Sequence, residues 1–390
     1  MGLRGWVERS FRVVAAHRHA VVLLVAAFLW HPPIVQADGH DRYRLSERFT
    51  LPVGAGPLDA LADGRLITVV GADVFVETAS GSRIFTNAGA LPAADMASFG
   101  AAFVLVSPDG TSLAVGNNGG ASFGNYQVGV FSFPSLTGDW FDAPHLLACW
   151  VDNTDLALTA GDFGFPSRVT VLDTTSANPS IPDNPTIIDN VGGASGGVAI
   201  DQAGNLFTGN GFTNSGPSGT GLIKAFTFAQ WTGAIGGTPL DFEAEGIEVV
   251  DVLSASPMEF DSGGNLLVGG GEFAAAGQFD YVAVVSAGAI ADALAGGGPI
   301  NTHDFAQVRR LDPDASNGSA FYTFAYGSNR SEIYVNDFGD LQTHVFRDLM
   351  GVPAASTWGL AILFLALCVG GTVALQGRAK TVLSLREISP

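Results

Sequence analysis

SPMEFDSGGNLLVGGGEFAAAGQFDYVAVVS, residues Ser256–Ser286, reads as a strand, a tight turn, a second strand, a Gly-rich loop and a third strand. A related copy precedes it at Gly197–Phe228, GVAIDQAGNLFTGNGFTNSGPSGTGLIKAFTF. The two align through Asp201/Asp261, Gly204/Gly264, Asn205/Asn265 and Leu206/Leu266, a shift of 60 residues. An apolar strand ends at an Asp. Gly and Asn, which tolerate positive φ, make the turn, and a second apolar strand opens at Leu.

Fainter copies extend the series in both directions. Their turns fall at Asp63-Gly64, Pro108-Asp109-Gly110, Asp152-Asn153 and Ser328-Asn329. Second strands then open at Leu66, Leu113, Leu156, Leu206, Leu266 and Ile333, with spacings of 47, 43, 50, 60 and 67 residues. A repeat of that length with three or four strands per unit is the signature of a β-propeller, because one blade cannot cover both faces of its own sheet. The sequence therefore predicts an all-β propeller of six blades, or seven if Ile181–Val191 or Ile247–Leu253 hides a further unit. Phe103, Val104, Val198, Ile200, Met258 and Phe260 would face inward on the first strands. Tyr43–Val53 alternates well enough to supply the outer strand of the last blade and close the ring. Ala229–Ile235 and Ala287–Leu294 read as short helices at matching points of two units.

The chain has 390 residues, 51 Gly, 27 Phe and a formal net charge of −19. Arg4, Arg9, Arg12 and Arg18 lie before Asp38, and Arg378, Lys380 and Arg386 after Gly377. The stretch between them holds 11 basic and 35 acidic residues, so the body is far more acidic than the whole. Such a surface repels phosphate backbones, which argues against a nucleic-acid partner. The two cysteines, Cys149 and Cys368, lie in segments that cannot pair, so neither a disulfide framework nor a Cys-type zinc site is expected.

The two ends carry an address. The basic run is followed by the 11-residue apolar core Ala20–Trp30, then by Val35-Gln36-Ala37 before Asp38. This is the layout of a secretory signal over residues 1–37, cut between Ala37 and Asp38. Residues 38–349 would be the propeller ectodomain. Trp358–Leu375 gives 18 uncharged residues, enough for one membrane-spanning helix within 350–377. Arg378 and Lys380 open a basic cytoplasmic tail, 378–390, as the positive-inside rule asks.

Val352-Pro353-x-x-Ser356-x-Trp358-Gly359, placed directly before that span, resembles the C-terminal sorting segment of bacterial exosortase-processed proteins. The nearest form is the Ile/Val-Pro-Thr-x-Ser-x-Trp-Gly variant of PEP-CTERM-like segments, with Ala354 here at the Thr position. The resemblance covers about 25 residues. It implies retention in the inner membrane, cutting near Pro353 by an exosortase-like enzyme, and release to the cell surface or extracellular matrix. It implies nothing about the body's activity.

Chemistry is sparse. Gly193–Gly197, GASGG, matches a nucleophile elbow by letters only, in a loop before a strand. His40, His145, His303 and His344 are isolated, with no metal-binding spacing. Asp312 and Asp314 begin a Ca²⁺-like loop whose twelfth position is Thr323 in place of a bidentate Glu. Asp201 and Asp261 either face the channel as a Ca²⁺ ring or cap their own turns. Gly- and Asn-rich rim loops at Asn118–Tyr126, Gly211–Gly221 and Gly271–Phe279 suit a surface glycan or protein partner. The sequence thus favours an exported, surface-associated, non-catalytic binding or matrix module without a cofactor. The alternative is a Ca²⁺-dependent, lactonase-like propeller hydrolase or a lyase.

Overall fold

The computed structural model describes residues 43–348 except 53, 55, 93–100, 118–125, 144, 161–166, 176–184, 212–220, 253–254, 256, 270–281, 303, 305–306, 312–322 and 338–339. The signal segment, the Ca²⁺-like loop at Asp312 and Asp314, the sorting motif, the C-terminal span and most of the three rim loops lie outside the described residues. Among the described residues no helix is long and apolar enough to cross a membrane.

Six antiparallel sheets form a ring of six blades. Blade 1 is β2 to β5 (Leu58–Ala60, Leu66–Val70, Asp73–Glu77, Phe85–Ala90). Blade 2 is β6 to β9 (Ala101–Val106, Ser112–Asn117, Gln127–Ser132, Thr137–Asp142). Blade 3 is β10 to β13 (Ala148–Trp150, Asp155–Ala160, Arg168–Asp173, Thr186–Asp189). Blade 4 is β14 (Ala194–Ile200), β15 (Leu206–Gly211), β16 (Gly221–Phe226) and β18 (Ile247–Val252). Blade 5 is β19 (Met258–Phe260), β20 (Leu266–Gly269), β21 (Val282–Val285) and β23 (Arg309–Leu311). Blade 6 is β24 to β26 (Phe324–Gly327, Glu332–Asp337, Gln342–Asp348) with β1 (Tyr43–Phe49) as its outer strand. The two regions that could have hidden a seventh unit are the outer strands of blades 3 and 4.

The predicted closure is observed. β1 pairs antiparallel with β26, from Tyr43 opposite Asp348 to Phe49 opposite Thr343, with a bulge between Leu45 and Glu47. The first and last segments of the body thus share one sheet, and the ring has no open seam.

The core is divided among the six interfaces between blades. Ile67 and Val69 meet Val104 and Leu113 between blades 1 and 2. Phe103 and Val128 meet Leu156 and Leu172 between blades 2 and 3. Ile188 meets Phe226 between blades 3 and 4, and Phe207 meets Leu266 between blades 4 and 5. Leu267 meets Tyr43 and Ile333 between blades 5 and 6, and Leu66 meets Tyr334 between blades 6 and 1. Phe103 and Val104, adjacent in sequence, serve opposite interfaces, as the two-residue period of a strand requires.

Both predicted helices are present, as α1 (Phe228–Ala234) and, after α2 (Phe242–Glu245), α3 (Ala287–Asp292). Each lies between the third and fourth strands of its blade. α1 starts at a capping box in which the Thr227 side chain and Gln230 satisfy each other's backbone N–H. The same excursions carry β17 (Leu240–Asp241) onto β13, and β22 (Ile300–Asn301) onto β18, both in parallel. Each insert therefore covers the exposed edge of the preceding blade, which protects it from pairing with another chain.

Candidate functional site

The repeated Asp-x-x-Gly-Asn turns are settled by their hydrogen bonds. Asp201 Oδ1 accepts from the N–H of Ala203 (2.9 Å) and of Asn205 (2.8 Å), and Oδ2 accepts from Asn205 Nδ2 (2.8 Å). Asp261 repeats the pattern with Gly263 and Asn265 at 2.7–2.9 Å. Gly204 and Gly264 sit at φ +82 and +77, where a Cβ would be strained. Neither Asp lines the channel, so the capping alternative holds and the Ca²⁺-ring alternative does not. Asp261 does one thing more: its Oδ2 accepts from the Tyr43 hydroxyl at 2.6 Å. The best-preserved turn therefore anchors the closing strand.

The first strands of all six blades surround a central cavity of about 520 Å³. Two charged side chains line it among the described residues, Asp59 on β2 and Glu259 on β19. They occupy matching positions, seven residues before the Leu that opens the next strand, Leu66 or Leu266. Their contacts match too. Asp59 Oδ2 accepts from the N–H of Val106 on the next blade (2.6 Å), and Glu259 Oε2 accepts from that of Tyr326 on the next blade (2.9 Å). Asp59 Oδ1 also accepts from Ala60 N–H at 2.7 Å.

Burial pushes the Asp59 carboxyl up to about 7, against the two backbone hydrogen bonds that favour its charged form. Glu259 is raised well above the ordinary range by burial and by the charges of Asp59 and Asp261. Both are half-buried and line the channel. Cys149, at the matching position of blade 3, has its thiol pushed up to about 12 by burial, so it is no thiolate nucleophile.

A raised carboxyl pKa means that the folded chain keeps a proton which the unfolded chain releases. The stability it contributes is complete below the usual 3.8 and is lost as the pH rises through about 7. We expect the melting temperature to fall between pH 5 and pH 8, and to fall less steeply in Asp59→Asn. Equal slopes in differential scanning calorimetry would remove Asp59 as the group concerned.

The other candidate residues lie off the channel axis or outside the described chain. His145 is buried against Phe103 and Tyr126, with ring centroids 5.2 and 5.8 Å away, and its Nδ1 donates to the Ala143 carbonyl at 2.6 Å. Burial pushes it down to about 4, so it is neutral and structural. His40 and His303 lie outside the described residues, as do Asp312 and Asp314. His344 is less isolated than its sequence suggested. Its Nε2 lies 3.0 Å from Asp340 Oδ2 and 3.6 Å from Asp337 Oδ2, on the last hairpin. Among the described residues this is the only set of three His, Cys, Asp or Glu ligand atoms within 4.8 Å of one another. The signal available was the spacing Asp337-x-x-Asp340-x-x-x-His344 across a turn.

No protein-family model matches the chain. No curated protein matches it either. Solved structures do. A Trichoderma reesei member of carbohydrate-active enzyme family AA12, solved with iodide, is 11% identical with a TM-score of 0.53, covering 82% of this chain and 100% of that one. The PQQ domain of pyranose dehydrogenase from Coprinopsis cinerea, in its holo form, is 12% identical with a TM-score of 0.52, covering 78% and 97%. A PQQ-bound aldose sugar dehydrogenase from Streptomyces coelicolor is 13% identical with a TM-score of 0.49, covering 78% and 97%. At these identities the likeness concerns the propeller fold alone.

Proposed function

We propose that the chain is an exported propeller, delivered to the cell surface by its terminal segments, that binds a ligand in the central channel without transforming it. The observation that carries this reading is the channel itself: about 520 Å³, walled by six inner strands, with Asp59 and Glu259 each tied to a neighbouring blade by a backbone N–H. Concave, partly apolar cavities with a few fixed polar groups are where ligands bind. What the described lining presents suits recognition more than chemistry. The Cys149 thiol stays protonated, no histidine is among the described lining residues, and the two carboxyls among them fall short of the three or four converging donors that a Ca²⁺-dependent hydrolase requires. Neighbouring folds whose names carry PQQ suggest a redox alternative. PQQ bears three carboxylates, and among the described lining residues there is no Lys or Arg to meet them.

Delivery rests on the sequence: a signal cut between Ala37 and Asp38, the motif Val352, Pro353, Ser356, Trp358 and Gly359, and the span behind it. An exosortase-like enzyme would release the body into the surface or matrix. Fractionation of tagged protein, with mass spectrometry of its C-terminus, tests this part. The expected product ends near Pro353 and is found outside the inner membrane; an intact chain that stays in the inner membrane sinks it. The binding part is tested by adhesion of the purified chain to the producing cells' own extracellular matrix, with Trp150→Ala in the channel wall expected to weaken it. Adhesion unaffected by that change would place binding elsewhere.

A further inference from the structure

The inner strands present a ring of backbone groups that divides into two unlike arcs. On each first strand, the residue just before the turn gives its N–H to the start of the second strand. Val151 N–H bonds to Asp155 O, Asp201 N–H to Asn205 O, and Asp261 N–H to Asn265 O. Hydrogen bonds alternate along an antiparallel pair, so the N–H groups of the preceding Trp150, Ile200 and Phe260 turn towards the channel. The same reasoning places Ala60, Val106 and Tyr326 in the ring, because Leu61 bonds to Arg65 O, Ser107 to Ser112 O, and Gly327 lies opposite Glu332.

Three of these six N–H groups are satisfied by channel carboxyls. Ala60 and Val106 donate to Asp59, and Tyr326 donates to Glu259. They belong to blades 1, 2 and 6. The other three, Trp150, Ile200 and Phe260, belong to blades 3, 4 and 5, and among the described residues none has an acceptor. A backbone N–H facing a cavity demands a partner, from water or from a ligand. Blades 3 to 5 thus form an arc of free donors, with Glu259 reaching from its blade 5 edge towards blade 6 and Asp59 on blade 1 facing it. The Glu259 Oε1 atom has no protein donor among the described residues, so it too is available to an occupant.

We infer that the channel takes a neutral polyhydroxylated ligand, the end of a saccharide, with hydroxyls that accept from the Trp150, Ile200 and Phe260 N–H groups and donate to Glu259 and Asp59. The inference rests on the reading of the channel as a binding site and names its ligand class. A hydroxyl both donates and accepts, so one ligand satisfies both arcs. A carboxylate would suit the donor arc but meet Glu259 at its edge and Asp59 across the channel. An ammonium would suit the carboxyls but leave the free N–H groups unpaired, which is costly once water is displaced. The raised pKa of both carboxyls adds to this, since a protonated carboxyl can also donate to a hydroxyl. Half-buried Trp150 and Phe260 give the wall apolar faces for the C–H side of a sugar ring.

Isothermal titration of the full chain with cellobiose, galacturonate and putrescine at neutral pH tests this. Cellobiose is expected to bind, with the two charged probes about tenfold weaker or undetected. Ile200→Pro removes one free N–H and no ladder hydrogen bond, so it should preserve the fold and weaken cellobiose about tenfold. Glu259→Leu is the second variant, with the same expectation for the carboxyl at the arc's edge. Cellobiose binding equally well to the parent and both variants overturns the inference, because the site then lies elsewhere. Preferential binding of galacturonate or putrescine, lost in Glu259→Leu, overturns the ligand class but leaves the channel as a binding site. Binding of none of the three overturns the inference, and the matrix-adhesion assay then decides separately whether the broader reading survives.

Discussion

Arg83→Leu is expected to destabilise the folded ring by about 3–5 kcal/mol, read as a lowered denaturant midpoint. Arg83 lies after β4 at the seam where the ring closes. Its side chain reaches Glu332 (2.9 Å), Glu47 (3.1 Å) and Glu77 (3.5 Å), and so touches blade 6, the closing strand and its own blade. Its guanidinium lies over the rings of Phe49 and Tyr334, 5.3 Å from each centroid. Glu77 and Glu332 are 0% and 2% exposed, so losing Arg83 leaves carboxylates buried with fewer partners. Burial opposes the charge on Glu332, but hydrogen bonds from Tyr334, Arg347 and Arg83 outweigh it and hold its pKa below the ordinary value. That contribution is present at neutral pH and lost as the pH falls through the folded pKa. The control is Arg347→Leu. Arg347 also binds Glu332, at 2.5 Å, but its side chain is 54% exposed and it holds one carboxylate where Arg83 reaches three, so a smaller loss of about 1–2 kcal/mol is expected. If the two variants are equally stable, the buried network is not what holds the seam.

The second large effect is Tyr43→Ala, with an expected loss of about 3–5 kcal/mol. Tyr43 is 0% exposed and packs with Leu267, Ile333 and Phe346 between blades 5 and 6. Its hydroxyl donates to Asp261, and its carbonyl accepts from Arg309 Nη2 at 3.3 Å. Tyr43→Phe keeps the packing and removes one charge-assisted hydrogen bond, for a loss of about 1–3 kcal/mol. Thermal melts of both variants, with limited proteolysis of β1, would measure the order. A Tyr43→Ala protein that melts with the parent would show that β1 is dispensable to the ring.

Both sites involve the closing strand, Tyr43 where it packs at blades 5 and 6 and Arg83 at the seam of blades 6 and 1, and the reason is topological. Five interfaces join blades that are consecutive in sequence. The sixth must join the last blade to the first through a strand from the far end of the chain. Its apolar cluster, built on Leu51, Leu58, Leu66, Ala325, Tyr334 and Val345, is supplemented by the Arg83 network. A ring closed this way gains much of its stability from contacts far apart in sequence.

The architecture is written locally in the chain. The stretch Ser256–Ser286 and its upstream copy encode hairpins through turn chemistry and strand alternation, which act over a few residues and so survive in the letters. From their spacing came a propeller of six or seven blades, and from local patterning the closing strand within Tyr43–Val53 and both inserted helices. The capping role of Asp201 and Asp261 is one of two readings in the sequence alone, and their hydrogen bonds decide it. The site exists only once the blades are assembled. Asp59 and Val106 come from different blades, as do Glu259 and Tyr326, and the three free N–H groups come from three different first strands. A backbone N–H leaves no mark in sequence, because every residue but proline carries one. An acid seven residues before a strand reads as an ordinary surface charge until the ring turns it into the channel. The same holds at the seam, where Arg83 and Glu332 are 249 residues apart and become partners only when the circle closes.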